Sequence, residues 1–339
     1  MSHTETEKDG GTSRDSLVIG AAQITPVWMD REATLHKVVQ YIEGGGEEGC
    51  DLIAFGEALV PGYPFWLERT GGARFDAPDQ KTWFSRYLDQ AVSLEAGHLD
   101  PVCRAARKAG VAVYLGIVER PVDRGGHSLY CSMVYIDKQG EIGSVHRKLM
   151  PTYEERLVWS PGDGHGLKVH ALGPFTVGGL NCWENWMPLP RAALYGLGED
   201  LHVALWPGSL RNTNDITRFI AREGRSFVLS VSGMLEVSQI PQTVPHRDAL
   251  VAEDSHEYFA NGGSCLAAPD GSWVIPPQCH QEGLFCAEIH HDMVRGERQN
   301  FDAAGHYSRP DVTRLVVNRQ RQSTLVFEDV DREAQRATE

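Results

Sequence analysis

The stretch FTVGGLNCWENWMPLPRAALYGLGEDLHVALW, residues 175–206, places a thiol between an apolar run and a helix-compatible segment, with a second apolar run behind. Phe175 to Asn181 is short and apolar enough for a buried strand, Pro190 to Leu197 reads as a helix, and Leu201 to Trp206 reads as the next strand. Cys182 then stands where a strand gives way to a turn. Such a position presents a nucleophile, and the backbone N–H groups after it can stabilise negative charge on oxygen or nitrogen. The competing reading is a buried core cysteine, the usual fate of this residue type. Local sequence leaves both open.

The same alternation continues in both directions. Upstream, Ser16 to Thr25 reads as a buried strand, and Leu35, Val38, Val39 and Ile42 share one face of a helix from Arg31 to about Glu43, ended by Gly44-Gly45-Gly46. Strands follow at Asp51 to Phe55, Val111 to Glu119, Leu129 to Ile136 and Ile142 to His146, with helices at Gln80 to Ala96 and Pro101 to Ala109. Downstream come a helix over Asp215 to Glu223, a strand over Ser226 to Ser232, and a hairpin about Pro269-Asp270-Gly271. Strands and helices alternating without long linkers argue for a layered α/β fold, in which the central strands can form one sheet or two. Residues 15–322 are expected to be a single domain, with 1–14 a polar and 323–339 a charged, disordered flank.

With 46 acidic residues against 32 Lys and Arg, the formal charge of −14 disfavours nucleic acid and anionic membranes as partners. No apolar run approaches the roughly 20 residues of a membrane helix, and the polar N-terminus lacks a secretory core. Seven scattered cysteines in a chain this long suggest a reducing cytoplasm rather than a disulfide framework. His290-His291 and the pair Cys279 and Cys286 lack the spacing of a zinc site, and no phosphate or dinucleotide loop is found, so no metal or cofactor is expected.

A cysteine nucleophile needs help, because a free thiol is only a few per cent ionised at neutral pH. Two further strand ends supply candidates: Phe55-Gly56-Glu57-Ala58 offers a carboxylate and His146-Arg147-Lys148-Leu149 an ammonium. The carboxylate can take the thiol proton and the ammonium can hold developing negative charge. Taken singly, each is an ordinary solvated residue; their combination with Cys182 carries the claim.

Three segments, in order, make the combination specific. AFGEALVPGYPFW (54–66), HRKLMPTYEERLVWSPGDG (146–164) and NCWE (181–184) resemble the signatures of the nitrilase branch of the carbon–nitrogen hydrolase superfamily. The likeness extends over roughly residues 16–312, with mild departures at Gly56 and Pro190. It implies a four-layer α-β-β-α sandwich, so the fold expectation rests on it. It also implies roles: Cys182 as nucleophile, Glu57 as general base, Lys148 and the backbone N–H of Trp183 as stabilisers of the developing charge, and Glu155 as a positioning carboxylate.

The activity implied is hydrolysis of an organic nitrile to acid and ammonia through thioimidate and thioester intermediates. Glu184 is a weaker candidate for setting the ratio of acid to amide. Phe65, Trp66, Trp159, Trp183 and Trp186 can line a substrate pocket, although aromatics beside strand ends are more often core. The resemblance further implies a homo-oligomer, as large as a spiral or filament. The rival readings are an amidase or carbamoylase of the same superfamily and a non-catalytic scaffold that retains the fold.

Overall fold

A computed structural model describes residues 15–251 and 257–325; the polar head and most of the charged tail lie outside the described residues. Five strands come first: β1 (Ser16–Gln23), β2 (Leu52–Phe55), β3 (Ala112–Glu119), β4 (Tyr130–Ile136) and β5 (Ile142–Arg147). The next seven are β6 (His170–Leu172), β7 (Phe175–Asn181), β8 (Leu201–Trp206), β9 (Phe227–Ser232), β10 (Met234–Glu236), β11 (Tyr258–Ala267) and β12 (Trp273–Cys279), before β13 (Gly283–His290). They form two sheets. One runs β13-β1-β2-β3-β4-β5; the other runs β10-β11-β9-β8-β7-β6, with β12 paired to β11.

Period-two alternation explains why two sheets stack. Leu52 and Ala54 of β2 meet Val203 and Leu205 of β8 in the central core, while their neighbours Ile53 and Phe55, and Ala204 and Trp206, face outward. The outward face of the first sheet is covered by helices 31–47 and 100–109 through Leu35, Val38, Ile42, Val102 and Ala106. That of the second is covered by helix 210–224 through Ile216, Ile220 and Ala221. The layers are therefore α-β-β-α, as the resemblance implies.

Three expected boundaries differ. The first helix does not stop at the triple glycine but continues to Glu47, because a Cβ at Gly45 would strike Ile53 and one at Gly46 would meet Ala109 Cβ at 2.7 Å. These glycines let helix, sheet and neighbouring helix approach closely. The helix expected over 80–96 occupies Pro78–Gln90 and ends where Val92 N–H and O bond to Val118 and Arg120. Helix 210–224 begins five residues before the expected Asp215. The hairpin is present: β11 and β12 pair antiparallel about a turn closed by Ala268 N–H to Ser272 O at 2.9 Å.

Candidate active site

Three chain segments leave parallel or adjacent strand ends and converge. β7 ends at Asn181, and Cys182 follows with φ 49°, a left-handed conformation uncommon for a residue with a side chain. Glu57 lies two residues past β2, its N–H bonded to Trp206 O of the opposite sheet at 3.1 Å. Lys148 follows β5 directly, and its N–H bonds to Cys131 O at 2.8 Å. Arg147, one residue earlier, fixes that strand end by a bidentate bond to Glu119 of β3, at 2.9 and 2.8 Å, while Ser132 of β4 donates to the same carboxylate at 2.6 Å.

The structure brings Glu57, Lys148, Glu155 and Cys182 together, all buried. Lys148 Nζ lies 2.8 Å from Glu57 Oε1 and 2.7 Å from Glu155 Oε2. The donor atoms of Glu57, Glu155 and Cys182 all lie within 4.8 Å of one another. Glu155, expected as a positioning carboxylate, is 1 % exposed and fully engaged: Tyr63 Oη donates to Oε1 at 2.8 Å and Thr152 N–H to Oε2 at 2.6 Å. Glu57 Oε1 also accepts from the Cys131 thiol at 3.4 Å, whereas Oε2 is buried and has no hydrogen-bond partner. Oε2 is the atom left to take a proton.

Burial sets the electrostatics. It pushes the Glu57 carboxyl up to about 7, against the pull of Lys148, with Glu155 adding to the rise. It pushes the Cys182 thiol well above the usual thiol range, Glu57 contributing in the same direction while Lys148 and the Trp183 backbone N–H oppose it. Burial also works against the Lys148 ammonium, but Cys182, Glu57 and Glu155 outweigh it, so the lysine stays charged well past its ordinary value. These shifts favour a protonated thiol, a carboxyl that titrates near neutrality and a charged lysine. The donor atoms of Glu57, Glu155 and Cys182 are spaced closely enough to hold a divalent ion, yet the ammonium already bonds both carboxylates, and a metal would have to expel it.

A cavity of about 440 Å³ opens above the sulfur, lined by Tyr63, Phe65, Trp183 and Phe259 with Glu68, Glu154, Arg211 and Asn212 among its polar residues. Cys182 is 2 % exposed and lines this cavity, so the thiol sits within a recess rather than on an exposed turn. Of the aromatics considered from sequence, Phe65 and Trp183 line the cavity, while Trp66 and Trp159 are core. Trp186 is exposed and stands beside Trp183 at 6.1 Å between ring centroids.

Glu184 lies elsewhere than expected. It is not among the cavity residues; its carboxylate accepts from Leu149 N–H at 2.6 Å and Asn181 N–H at 2.9 Å and faces His146 Nε2 at 3.1 Å. It therefore ties the residue after Lys148 to the residue before Cys182 across the two sheets. Burial works to raise its carboxyl, but His146 and these N–H groups more than offset that and hold it low. Sequence reasoning did not single out Tyr63, Cys131, Asn212 or Phe259. Tyr63 sits inside the quoted segment 54–66 and was within reach; the others come from distant segments and carry no local signal.

A family model described as carbon–nitrogen hydrolase matches residues 18–299. The chain is 36 % identical over 317 residues to Nitrilase 2 of an unknown prokaryotic organism, covering 93 % of this chain and 96 % of that one. It is 32 % identical over 330 residues to an aliphatic nitrilase of Rhodococcus rhodochrous, covering 92 % and 85 %. With Nitrilase 2 of Arabidopsis thaliana it shares 31 % identity over 333 residues, 96 % of each chain. Among solved structures, a carbon–nitrogen hydrolase of Helicobacter pylori G27 superposes with a TM-score of 0.66 at 16 % identity, over 87 % of this chain and 96 % of that one. That likeness is one of fold. Taken with the sequence relatives and the matched residues, these findings show that the chain belongs to the carbon–nitrogen hydrolase family, in its nitrilase branch.

Proposed function

We propose that this protein is a nitrilase that hydrolyses an organic nitrile, R–C≡N, with two waters to R–COOH and ammonia, using Cys182 as nucleophile. The observation that carries the reading is the buried cluster of Glu57, Lys148 and Glu155 around the Cys182 thiol at the cavity. Sequence relatives named nitrilases, matching along nine-tenths or more of the chain, favour nitriles over amides.

In this mechanism Glu57 Oε2 takes the thiol proton as the sulfur bonds to the nitrile carbon, and the same proton passes to the nitrogen to give a thioimidate. Lys148 and the Trp183 N–H hold the negative charge that develops on nitrogen. Glu57 then takes a proton from a first water, whose oxygen adds to the same carbon. The nitrogen, which already carries the proton from the thiol, leaves with both protons of this water as ammonia, so the C–N bond breaks and the carbon becomes a thioester. A second water, activated in the same way, breaks the C–S bond, releases the acid and returns the proton to the sulfur. Glu155, fixed by Tyr63 and Thr152, positions Lys148. The R group rests against the rings of Tyr63, Phe65, Trp183 and Phe259.

Three further properties belong to the same reading. The body folds as a single domain, the protein acts in the cytoplasm, and copies associate into a homo-oligomer. Exposed Leu189, Phe219, Tyr307 and Val316 support self-association, and seven free cysteines suit a reducing compartment. Among the described residues no helix is long and apolar enough to cross a membrane.

The test is turnover of matched nitrile and amide panels, with ammonia, acid and amide recorded. Ammonia and acid from nitriles is the expected result; turnover of amides alone would move the assignment to an amidase, and silence on both would favour the scaffold.

A further inference from the structure

Behind the nucleophile runs a polar relay that the mechanism above does not use. Asn185, His202 and Glu199 are fully buried and linked to the turn that carries Cys182. Asn185 Nδ2 donates to Cys182 O at 2.8 Å and to Leu180 O at 3.2 Å. Its Oδ1 lies 2.7 Å from His202 Nε2, and the other ring nitrogen, Nδ1, lies 3.0 Å from both oxygens of Glu199. Arg191 Nη1 donates to Asn185 O at 2.7 Å, fixing the backbone that carries the amide.

The direction of each bond follows from chemistry. An amide reversed about its last torsion would point its own oxygen at two carbonyl oxygens, so Nδ2 must face them and Oδ1 must face the histidine. Oδ1 only accepts, so the Nε2–H donates. Glu199 braces the far side of the ring. Each member thereby fixes the orientation of the next, and the last bond falls on the carbonyl of Cys182.

That carbonyl belongs to the peptide group whose N–H is that of Trp183. The group is planar and trans, so its C=O and N–H point in opposite directions. Holding the oxygen towards Asn185 turns the N–H the other way, towards the Cys182 sulfur, where it works against the upward push of burial on the thiol. Cys182 also has φ 49°, so this peptide plane needs an outside partner to stay where it is.

We infer that Asn185, held by His202 and Glu199, is a positioning residue that aims the Trp183 N–H at the nitrogen or oxygen on which negative charge develops. The inference rests on the nitrilase reading. It separates two properties of Cys182 that a general structural role would join: the reactivity of its sulfur, and the stabilisation of charge next to it.

The experiment uses the full chain and Asn185→Leu, which approximates the shape, adds no charge and loses the donor. Ammonia release from a nitrile gives kcat and KM; the rate of Cys182 alkylation by iodoacetamide, which places no charge at the aimed N–H, gives thiol reactivity. Losing a charge-stabilising donor outright lowers kcat by about 10²–10³-fold, and misaiming the Trp183 N–H is expected to lower it by at least tenfold and at most by that amount. KM and the alkylation rate are expected to stay within about threefold of wild type. An unchanged kcat overturns the inference, as does a parallel fall of kcat and alkylation, which would mark a structural role. His202→Phe is the second variant should Asn185→Leu fail to fold, with a smaller fall in kcat and the same unchanged alkylation expected. A wild type silent on nitriles and amides alike would overturn the functional reading itself, an outcome distinct from any difference between variant and wild type.

Discussion

At the scale of single residues, the proposed mechanism depends on a base whose proton affinity matches neutral pH. Glu57 must be ionised to take the thiol proton, and burial places its titration at about 7. Activity is therefore expected to be full above that value and to fall tenfold per unit as pH drops below it, with the apparent midpoint belonging to the coupled Glu57, Lys148 and Glu155 cluster. A pH profile of kcat/KM checks this; a profile flat from pH 5 to 8 contradicts it. Lys148 is the counterion for two buried carboxylates. Lys148→Met should abolish turnover and cost about 3–5 kcal/mol in stability, because two uncompensated carboxylates remain. Denaturant unfolding beside an activity assay measures both; a variant as stable as wild type would mean that the ion pairs contribute little.

Elements position these side chains through close backbone approach. β3 passes beneath the turn that carries Glu57, and a Cβ at Gly116 would collide with the Gly56 carbonyl oxygen and meet Glu57 Cα at 2.8 Å. Gly116→Ala should displace that turn and lower kcat by at least tenfold, far more than it lowers unfolding stability would suggest for an added methyl; wild-type kcat would show that the turn can yield. Strands such as β3 and β8 were legible because they are compact apolar runs bounded by turn residues, and the hairpin at Pro269-Asp270-Gly271 because its turn chemistry is local, whereas the short β6 and β10 and the half-exposed β13 were not read. The triple glycine misled for a physical reason. Glycine ends helices when only local propensity acts, but here Gly45 and Gly46 sit where Ile53 and Ala109 leave no room for a side chain. Tertiary contact decided the boundary, and tertiary contact is what single-sequence reading lacks. The same holds at the site: Glu57, Lys148, Glu155 and Cys182 could be named because they sit in three resembling segments, whereas Asn185 and His202, seventeen residues apart on a turn and a strand, acquire meaning only when the fold joins them.

For the whole molecule, two sheets facing each other through Leu52, Ala54, Val203 and Leu205 bring the ends of β2, β5 and β7 to one place, which is why residues separated by more than a hundred positions share a pocket. Sequence pattern alone left one sheet and two equally open; resemblance to a family chose between them. Exposed apolar side chains on the outer helices and the C-terminal segment lead to the expectation of a homo-oligomer. Light scattering on the purified protein should give a multiple of the chain mass, and a monomer at micromolar concentration would remove that part of the account. The central claim is covalent catalysis at Cys182. Its most direct test is acid-quenched turnover of a nitrile, with mass analysis of the peptide that carries Cys182, run beside Cys182→Ala with ammonia measured in both. The account predicts an imidoyl or acyl adduct on Cys182, and neither adduct nor ammonia from the variant. Ammonia release by Cys182→Ala at the wild-type rate, or an adduct on another residue such as Cys131, would contradict it.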